Sequence, residues 1–482
     1  MDHPPGGPSF RGRGLPVRRR PRRGRRRLVS AVLLLACLGA LALASSRVLG
    51  ALSASGNPFT EAARSVDPPT GSVPWKLQHG QRVALLLLGY GGSENDAPYL
   101  TDSIMAVVLD PGSRRAVEVS LPRDLVVPVD AWTTGRPVPQ KLNEAYAIGR
   151  DDASWPGKRP EFTAARGGGG RLAEQAIAAV TGLQFDGYIG VDFKAFRDVV
   201  TALGGVRVCL DGPLDDTEYP DYHDGYVRGG IHFRAGCQQV TGEQALELAR
   251  SRHAVQAGEA SDFARARRQQ LLLNAIRKKA TSLDAITRAP QLLDALRKDL
   301  DTSLGVSDMR ALSDWSKGVA DSAIGRVAIT DSDFLAAYYL EAGGCASSSV
   351  YALCPEDATY RMLKQYLAGV FVDPRVLRER ATVQVVNASR SLDDLGDRVT
   401  RTLEPLGFEV APSVRMSPAD RSVVYDYSGG HYPLTARWLA AHFGATVVEV
   451  GASTPPTPSP PSGGLAVVVG HDYALRWIGQ GP

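Results

Sequence analysis

Long apolar runs are scarce in this chain, cysteines are few, and the usual nucleophile signatures are missing. Only one uncharged stretch, Leu28–Ala44, approaches the length of a bilayer crossing, which excludes a polytopic membrane protein. Five cysteines occur in 482 residues, with no CxxC pair and no paired-histidine spacing, so a structural zinc site has little to draw on. There is no serine nucleophile elbow, no Walker loop and no HExxH, and no internal repeat. The body of the chain also lacks positive charge. The total is +4, but residues 1–27 hold ten arginines against Asp2, +9 in that segment, which leaves the other 455 residues at −5. A nucleic-acid-binding domain carries its excess charge on the folded surface, so no nucleic-acid partner is expected.

What is present begins with the segment after the arginines. Leu28–Ala44 would span about 25 Å as a helix, at the short end for a crossing. Positive charge ahead of a single span holds the N-terminus in the cytoplasm and sends the remainder outward. The expected layout is a basic cytoplasmic tail (1–27), a transmembrane helix acting as signal-anchor (28–45) and a polar stalk (46–80), which locates the protein at the cell membrane as a single-pass, extracytoplasmic enzyme. Ala42-Leu43-Ala44 would also suit a signal peptidase, so cleavage is the alternative to anchoring. Beyond the span, Cys209, Cys237, Cys345 and Cys354 form an even set suited to an oxidising compartment, and proximity favours Cys209–Cys237 and Cys345–Cys354 among the possible pairings.

From Val83 the pattern turns to short apolar runs. Val83–Leu88, Ser103–Leu109, Ala116–Leu121, Gly187–Val191 and Val206–Leu210 read as strands. Leu172–Val180, Phe193–Leu203, Glu243–Ala249 and Phe263–Lys279 read as helices. Residues 131–169 are loop-rich and end in four glycines, residues 211–236 form an aromatic, Asp-rich insertion, and residues 281–375 are mainly helical. A second module follows Thr382, with strands at Val383–Val386, Phe408–Ala411, Val423–Tyr425, Thr446–Val450 and Leu465–Val469 around helices at Leu392–Leu406 and Leu434–Phe443. The alternation argues for an α/β fold in layers.

The informative polar residues are arginines and aspartates at loop edges. Arg250 and Arg252 flank Ser251 after a helix, and in an extended segment residues i and i+2 point the same way. Asp262 can begin the next helix, with Arg265, Arg268 and Gln269 on one of its faces. Arg123 follows one strand and Asp102 precedes another. Several arginines with few carboxylates suit a pyrophosphate. Guanidiniums bind phosphate oxygens bidentately, and a carboxylate holds Mg²⁺ shared with the phosphates. Taken singly, each arginine is also an ordinary solvated charge.

Together these segments resemble the LytR-CpsA-Psr family of cell-envelope glycopolymer ligases. The strings are Leu85-Leu-Leu-Leu-Gly-Tyr-Gly-Gly92, Tyr99-Leu-Thr-Asp-Ser-Ile104, Ser120-Leu-Pro-Arg-Asp124, Lys141-Leu-Asn-Glu-Ala-Tyr146, Ala202-Leu-Gly-Gly-Val206, Leu248-Ala-Arg-Ser-Arg-His253 and Asp262-Phe-Ala-Arg-Ala-Arg-Arg-Gln-Gln270. They run in order over about residues 82–280. Ala381–Asn387 and Val467–Tyr473 are similar to the LytR-type C-terminal domain. The resemblance implies a layered α/β/α catalytic domain with a central mixed sheet (81–375) and a small C-terminal α/β domain (381–475). It also implies a reaction: a polymer on a polyprenyl pyrophosphate carrier passes as a phosphodiester to a peptidoglycan hydroxyl. A polyprenyl pyrophosphate hydrolase and a non-catalytic, lipid-linked-glycan-binding envelope protein are the alternatives. By family position Arg123, Arg250, Arg252, Arg265 and Gln269 grip the pyrophosphate, with Lys141 and Arg268 as further substrate-binding residues. Asp102 holds Mg²⁺ (or Mn²⁺), and Asp262 orients an arginine or acts as base. One departure is Gly91, where many relatives carry an aspartate; Asp96 or Glu94 from the same loop is expected to replace it. Tyr219, Tyr222, Tyr226 and Phe233 of the insertion either contact glycan or pack a loop tied down by a disulfide.

Overall fold

The computed structural model describes residues 67–480 except 94–96, 134, 222–224, 257, 261, 281–299, 317–318, 321–322, 331–333, 342–343, 347–350, 358 and 452–462. The expected tail, transmembrane helix and most of the stalk lie outside the described residues, among which no helix is long and apolar enough to cross a membrane.

The apolar runs read from the sequence form the middle of a six-stranded sheet. Its order is Leu300–Thr302, Gly187–Asp192, Val83–Tyr90, Thr101–Asp110, Arg115–Leu121, Ile324–Ala328. Val83–Tyr90 runs parallel to Gly187–Asp192 and antiparallel to Thr101–Asp110, so the sheet is mixed. Successive side chains on a strand face opposite sides, and here both sides are buried. Val83, Leu85, Met105, Val107 and Leu109 pack on one face with Leu304, Met309 and Leu312. Leu86, Leu88, Ile104, Val117 and Val119 pack on the other with Leu172, Ala176 and Ile177 of the helix Gly168–Thr181. Burial on both faces is why these strands read as unbroken apolar runs, and it gives the helix–sheet–helix layering.

The region 281–375 corrects the expectation of a mainly helical segment. Among its described residues it supplies both edge strands of the central sheet and a small sheet built from Leu335–Glu341, Gly344–Ala346 and Tyr351–Pro355, with helices at Val306–Ser316 and Arg361–Ala368. The edge strands are too short to carry a pattern of their own, and pairing with a preformed neighbour decides their state: Ile324–Ala328 lies in parallel register on Ala116–Ser120. The four glycines are a second correction, for Gly168–Gly170 start a helix. A Cβ at Gly168 would lie 2.2 Å from the Phe162 carbonyl and one at Gly170 2.2 Å from the Tyr188 ring, so the residues serve close packing of helix on sheet.

In that helix Glu174 is half-buried, its Oε1 has no hydrogen-bond partner, and burial, with a smaller push from Asp186, raises its carboxyl to about 7. A raised folded pKa means that stability is greatest below the ordinary glutamate range and is lost as pH rises through about 7. Glu174→Gln is therefore expected to add about 2 kcal/mol to the unfolding free energy at pH 8.5 and nothing at pH 4, as read by urea denaturation.

The C-terminal sheet has the order Glu409–Arg415, Thr382–Asn387, Leu465–Val469, Val423–Asp426, Thr446–Glu449, parallel except between Val423–Asp426 and Leu465–Val469. Helices Leu395–Leu403, Pro433–Phe443 and His471–Trp477 cover it. Its apolar face is continuous with the larger core through Phe334, Tyr366 and Trp477.

Candidate active site

Sheet register brings the candidate residues to one edge. Thr101 lies opposite Tyr90, Ile104 opposite Leu121, and Asp192 beside Tyr90. The start of Thr101–Asp110 and the ends of its neighbours thus form a single rim, and in open α/β sheets such a rim at the strand ends is where ligands bind.

On that rim Asp102 is the hub of an alternating chain of charges. Its Oδ1 accepts from Arg123 Nη1 at 2.6 Å and from Arg252 Nη2 at 3.2 Å. Arg265, almost fully buried, donates Nη2 to the Asp102 carbonyl at 3.3 Å. Arg123 Nε lies 3.3 Å from Asp124, and Asp124 Oδ1 accepts from Lys141 Nζ at 2.9 Å. Four cations thus face two carboxylates, and the excess positive charge suits an anion. Burial pushes the Asp102 carboxyl up, but the guanidiniums of Arg252, Arg265 and Arg123 outweigh it and hold the group below the usual carboxylate range. The helix Leu142–Arg150 supports the rim through backbone bonds, Asn143 N to the Arg123 carbonyl and Leu142 N to the Leu125 carbonyl.

The other candidates sit around this hub in different ways. Arg250 is the last residue of the helix Gly242–Arg250, whereas Arg252 is in irregular chain, so the i, i+2 rule for extended backbone does not govern the pair. The Arg250 guanidinium lies 4.7 Å from the Phe193 ring and 5.4 Å from the Tyr219 ring, and donates to the Tyr219 hydroxyl at 3.3 Å. Arg268 is buried beneath the Arg250–Arg252 segment, donating to the carbonyls of Leu248 and Ser251 and to Glu259. Gln269 donates to the Ala249 carbonyl at 3.2 Å. These two hold the loop from below. Asp262 is the first residue of the helix Asp262–Ala280, and its side chain lies outside the described residues, as do Asp96 and Glu94. His253 is exposed. Of the insertion aromatics, Tyr219 and Phe233 are core residues, Tyr226 is exposed and Tyr222 lies outside the described residues. The predicted pair Cys209–Cys237 is a disulfide across neighbouring strands. The predicted partner of Cys354, Cys345, has a side chain outside the described residues.

A LytR_cpsA_psr family model matches residues 53–349, more than half of the chain. The chain belongs to the LytR_cpsA_psr family. A second model, described as LytR cell envelope-related transcriptional attenuator, matches residues 380–473. Among curated relatives, the polyisoprenyl-teichoic acid–peptidoglycan teichoic acid transferase TagV of Bacillus subtilis is 28% identical over 233 residues, 48% of this chain and 52% of the relative. The like-named transferase TagU of Bacillus cereus is 28% identical over 243 residues, 50% of this chain and 67% of the relative. The match thus spans about half the length of the first relative. The crystal structure of B. subtilis TagV aligns with a TM-score of 0.43 at 23% identity, covering 60% of this chain and 96% of that one.

In this LytR_cpsA_psr chain two carboxylates escaped sequence reading. Asp192 lies against Gly92, whose φ of +75° and missing Cβ let the loop pass; a Cβ there would meet the Asp192 side chain at 2.9 Å. Asp192 also caps the helix Phe193–Ala202 through Ala195 N at 2.7 Å. Asp216 is fully buried under Ser251–His253. A strand-end Asp before a helix was a legible cap signal for the first, and no local pattern marks the second.

The donor set can be tested against the implied magnesium. No group of three or more His, Cys, Asp or Glu side chains that could hold a metal occurs among the described residues. Asp102 and Asp124 are the carboxylates described within the arginine cluster, and Asp124 is taken up by Arg123 and Lys141. That set fits Mg²⁺ in its usual binding mode, through one or two carboxylates with the remaining positions on water and substrate phosphate; it does not fit a metal caged by protein.

Proposed function

We propose that this chain is a membrane-anchored phosphotransferase that moves a glycopolymer from a polyprenyl pyrophosphate carrier to peptidoglycan. The observation that carries the reading is the convergence of Arg123, Arg252 and Arg265 on Asp102 at the sheet rim. The transferase names of the TagV and TagU relatives support it. In this reading an acceptor hydroxyl attacks the phosphorus that bears the polymer, the P–O–P bond breaks, and the carrier leaves as its monophosphate with the hydroxyl proton released. Phosphoryl transfer of this kind is mostly positioning and charge stabilisation, which matches a site rich in arginine and poor in general bases. Arg252 and Arg123 hold the pyrophosphate oxygens as bidentate donors, and Arg265 fixes the Asp102 backbone. Lys141 reaches them through Asp124. Asp102 would hold Mg²⁺, with Asp96 as the second candidate carboxylate in place of the residue missing at Gly91. When bound, Mg²⁺ offsets the charge that develops on the phosphates.

The anchoring follows from Leu28–Ala44 behind ten arginines, which places the catalytic part outside the cell membrane. A Cys209–Cys237 disulfide suits that compartment.

The test uses the full chain in detergent micelles with a polyprenyl-pyrophosphate-linked glycopolymer, peptidoglycan fragments and Mg²⁺. Polymer transferred and lipid monophosphate released are expected in equal amounts, with Asp102→Ala lowering both by about a hundredfold. Release without transfer would make the protein a hydrolase, and binding with neither would make it a glycan-binding protein; each result overturns the proposal.

A further inference from the structure

The backbone from Leu248 to His253 is gripped from two sides. Arg268 and Gln269 donate to its carbonyls at Leu248, Ala249 and Ser251. From the opposite side Asp216, at the end of the strand Leu214–Asp216, collects three donors on one oxygen: Ser251 Oγ at 2.7 Å, Arg252 N at 3.1 Å and His253 N at 3.1 Å. Its other oxygen accepts from Glu218 N at 3.1 Å. With 0% exposure this carboxylate is beyond the reach of solvent, and its bonds to the loop come from donors 35 to 37 residues along the chain. The insertion that carries it also carries Tyr219, against which Arg250 is held, and the Cys209–Cys237 pair joins the strands at its two ends.

We propose that Asp216 is the positioning residue of the Arg250–His253 segment, an anion substitute that fixes the Arg252 backbone so that its guanidinium stays on the Asp102 side of the site. This rests on the functional reading above only in naming pyrophosphate as the ligand. Asp216 touches no reacting atom; it acts through Ser251, Arg252 and His253. A carboxylate is needed because three donors converge on one oxygen, and an amide placed there would have to turn an N–H toward one donor set or the other. Loss of the grip lets Arg252 shift, and misplacement of about 1 Å at a reacting centre can cost up to two orders of magnitude in rate.

The test compares the full-length wild type with Asp216→Asn and Ser251→Ala, using a polyprenyl-pyrophosphate-linked glycopolymer with peptidoglycan fragments and Mg²⁺ for turnover and inorganic pyrophosphate as the binding probe. For Asp216→Asn, kcat is expected to fall at least tenfold, with KM and the dissociation constant for inorganic pyrophosphate rising together, each about tenfold. Ser251→Ala is expected to show the same pattern at roughly a third of the size. All are read at a temperature where circular dichroism shows each protein folded. A lower melting temperature with kcat and affinity unchanged would mean a structural role only and overturns the inference. If Asp216→Asn does not fold, Ser251→Ala decides by the same criteria. A wild type that binds pyrophosphate but transfers no polymer overturns the phosphotransferase reading, and the pyrophosphate affinities then decide Asp216 separately. A wild type that binds no pyrophosphate overturns both.

Discussion

Arg252→Ala is expected to lower kcat/KM for polyprenyl pyrophosphate cleavage about a thousandfold, or roughly 4 kcal/mol of transition-state stabilisation. Arg252 is the guanidinium whose backbone is clamped by Asp216 and whose Nη2 reaches Asp102 at 3.2 Å. It therefore meets the developing phosphate charge already oriented, with little reorganisation left to do during the reaction. Arg252→Lys should recover little of the loss, because an ammonium offers a point charge where the site presents a planar fork. The same change has a pH signature. In the wild type burial would raise the Asp102 carboxyl, but Arg252, Arg265 and Arg123 hold it below the usual carboxylate range, so the acid limb of activity is expected below that range too. Without Arg252 one lowering partner is gone while burial remains, and the acid limb moves to higher pH. Initial rates between pH 4 and 8 would show both effects. A loss smaller than tenfold, or an acid limb that does not move, would remove Arg252 from the centre of the site.

The largest stability effect is expected at the other end of the chain. Trp477→Ala should cost about 3–5 kcal/mol of unfolding free energy. Trp477 is 1% exposed at the end of the helix His471–Trp477 and stacks on Phe334 with ring centroids 5.0 Å apart. Phe334 in turn packs against Tyr366 at 5.1 Å. Phe334 and Tyr366 flank the small sheet that precedes the C-terminal module, so this aromatic column is the joint through which the two sheets share one core. Truncation removes the indole and leaves a cavity that rigid neighbours cannot close. Trp477→Phe should cost only about 1 kcal/mol, because stacking on Phe334 is kept and the buried indole N–H has no acceptor to lose. Urea denaturation followed by far-ultraviolet circular dichroism gives both numbers. A cost for Trp477→Ala below about 1.5 kcal/mol would mean that the C-terminal module stands independently of the larger core.

Sequence reading succeeded where the signal is local. Val83–Leu88 and Ala116–Leu121 read as strands because burial on both faces leaves no polar alternation. Phe193–Leu203 read as a helix because its stop, Gly204-Gly205, is a backbone property, and Gly204 and Gly205 do take positive φ. It failed where a neighbour decides. Leu300–Thr302 and Ile324–Ala328 are strands only because a sheet edge awaited them. Gly168–Gly170 are helical only because Phe162 and Tyr188 leave no room for side chains.

The candidate site divides along the same line. Residue types and spacing by themselves pointed to an anion site rich in arginine, with Arg123, Arg250, Arg252 and Arg265 as its expected members and Asp102 as the carboxylate beside them, and they showed which family the chain resembled. Only the tertiary structure decided how they meet. Arg123 and Arg252 lie 21 and 150 residues from Asp102, and they share one carboxylate oxygen because strand order carries Asp102 and Arg123 to one rim and the loop after the helix Gly242–Arg250 brings Arg252 to it. It also set Arg250 against the rings of Tyr219 and Phe193 and buried Arg268 beneath the loop. Asp216 had no local signature at all, since its meaning lies in donors 35 to 37 residues away. A sequence pattern reports the conformation of a few neighbouring residues, whereas a binding site is made by sheet register and buried hydrogen bonds between segments distant in the chain.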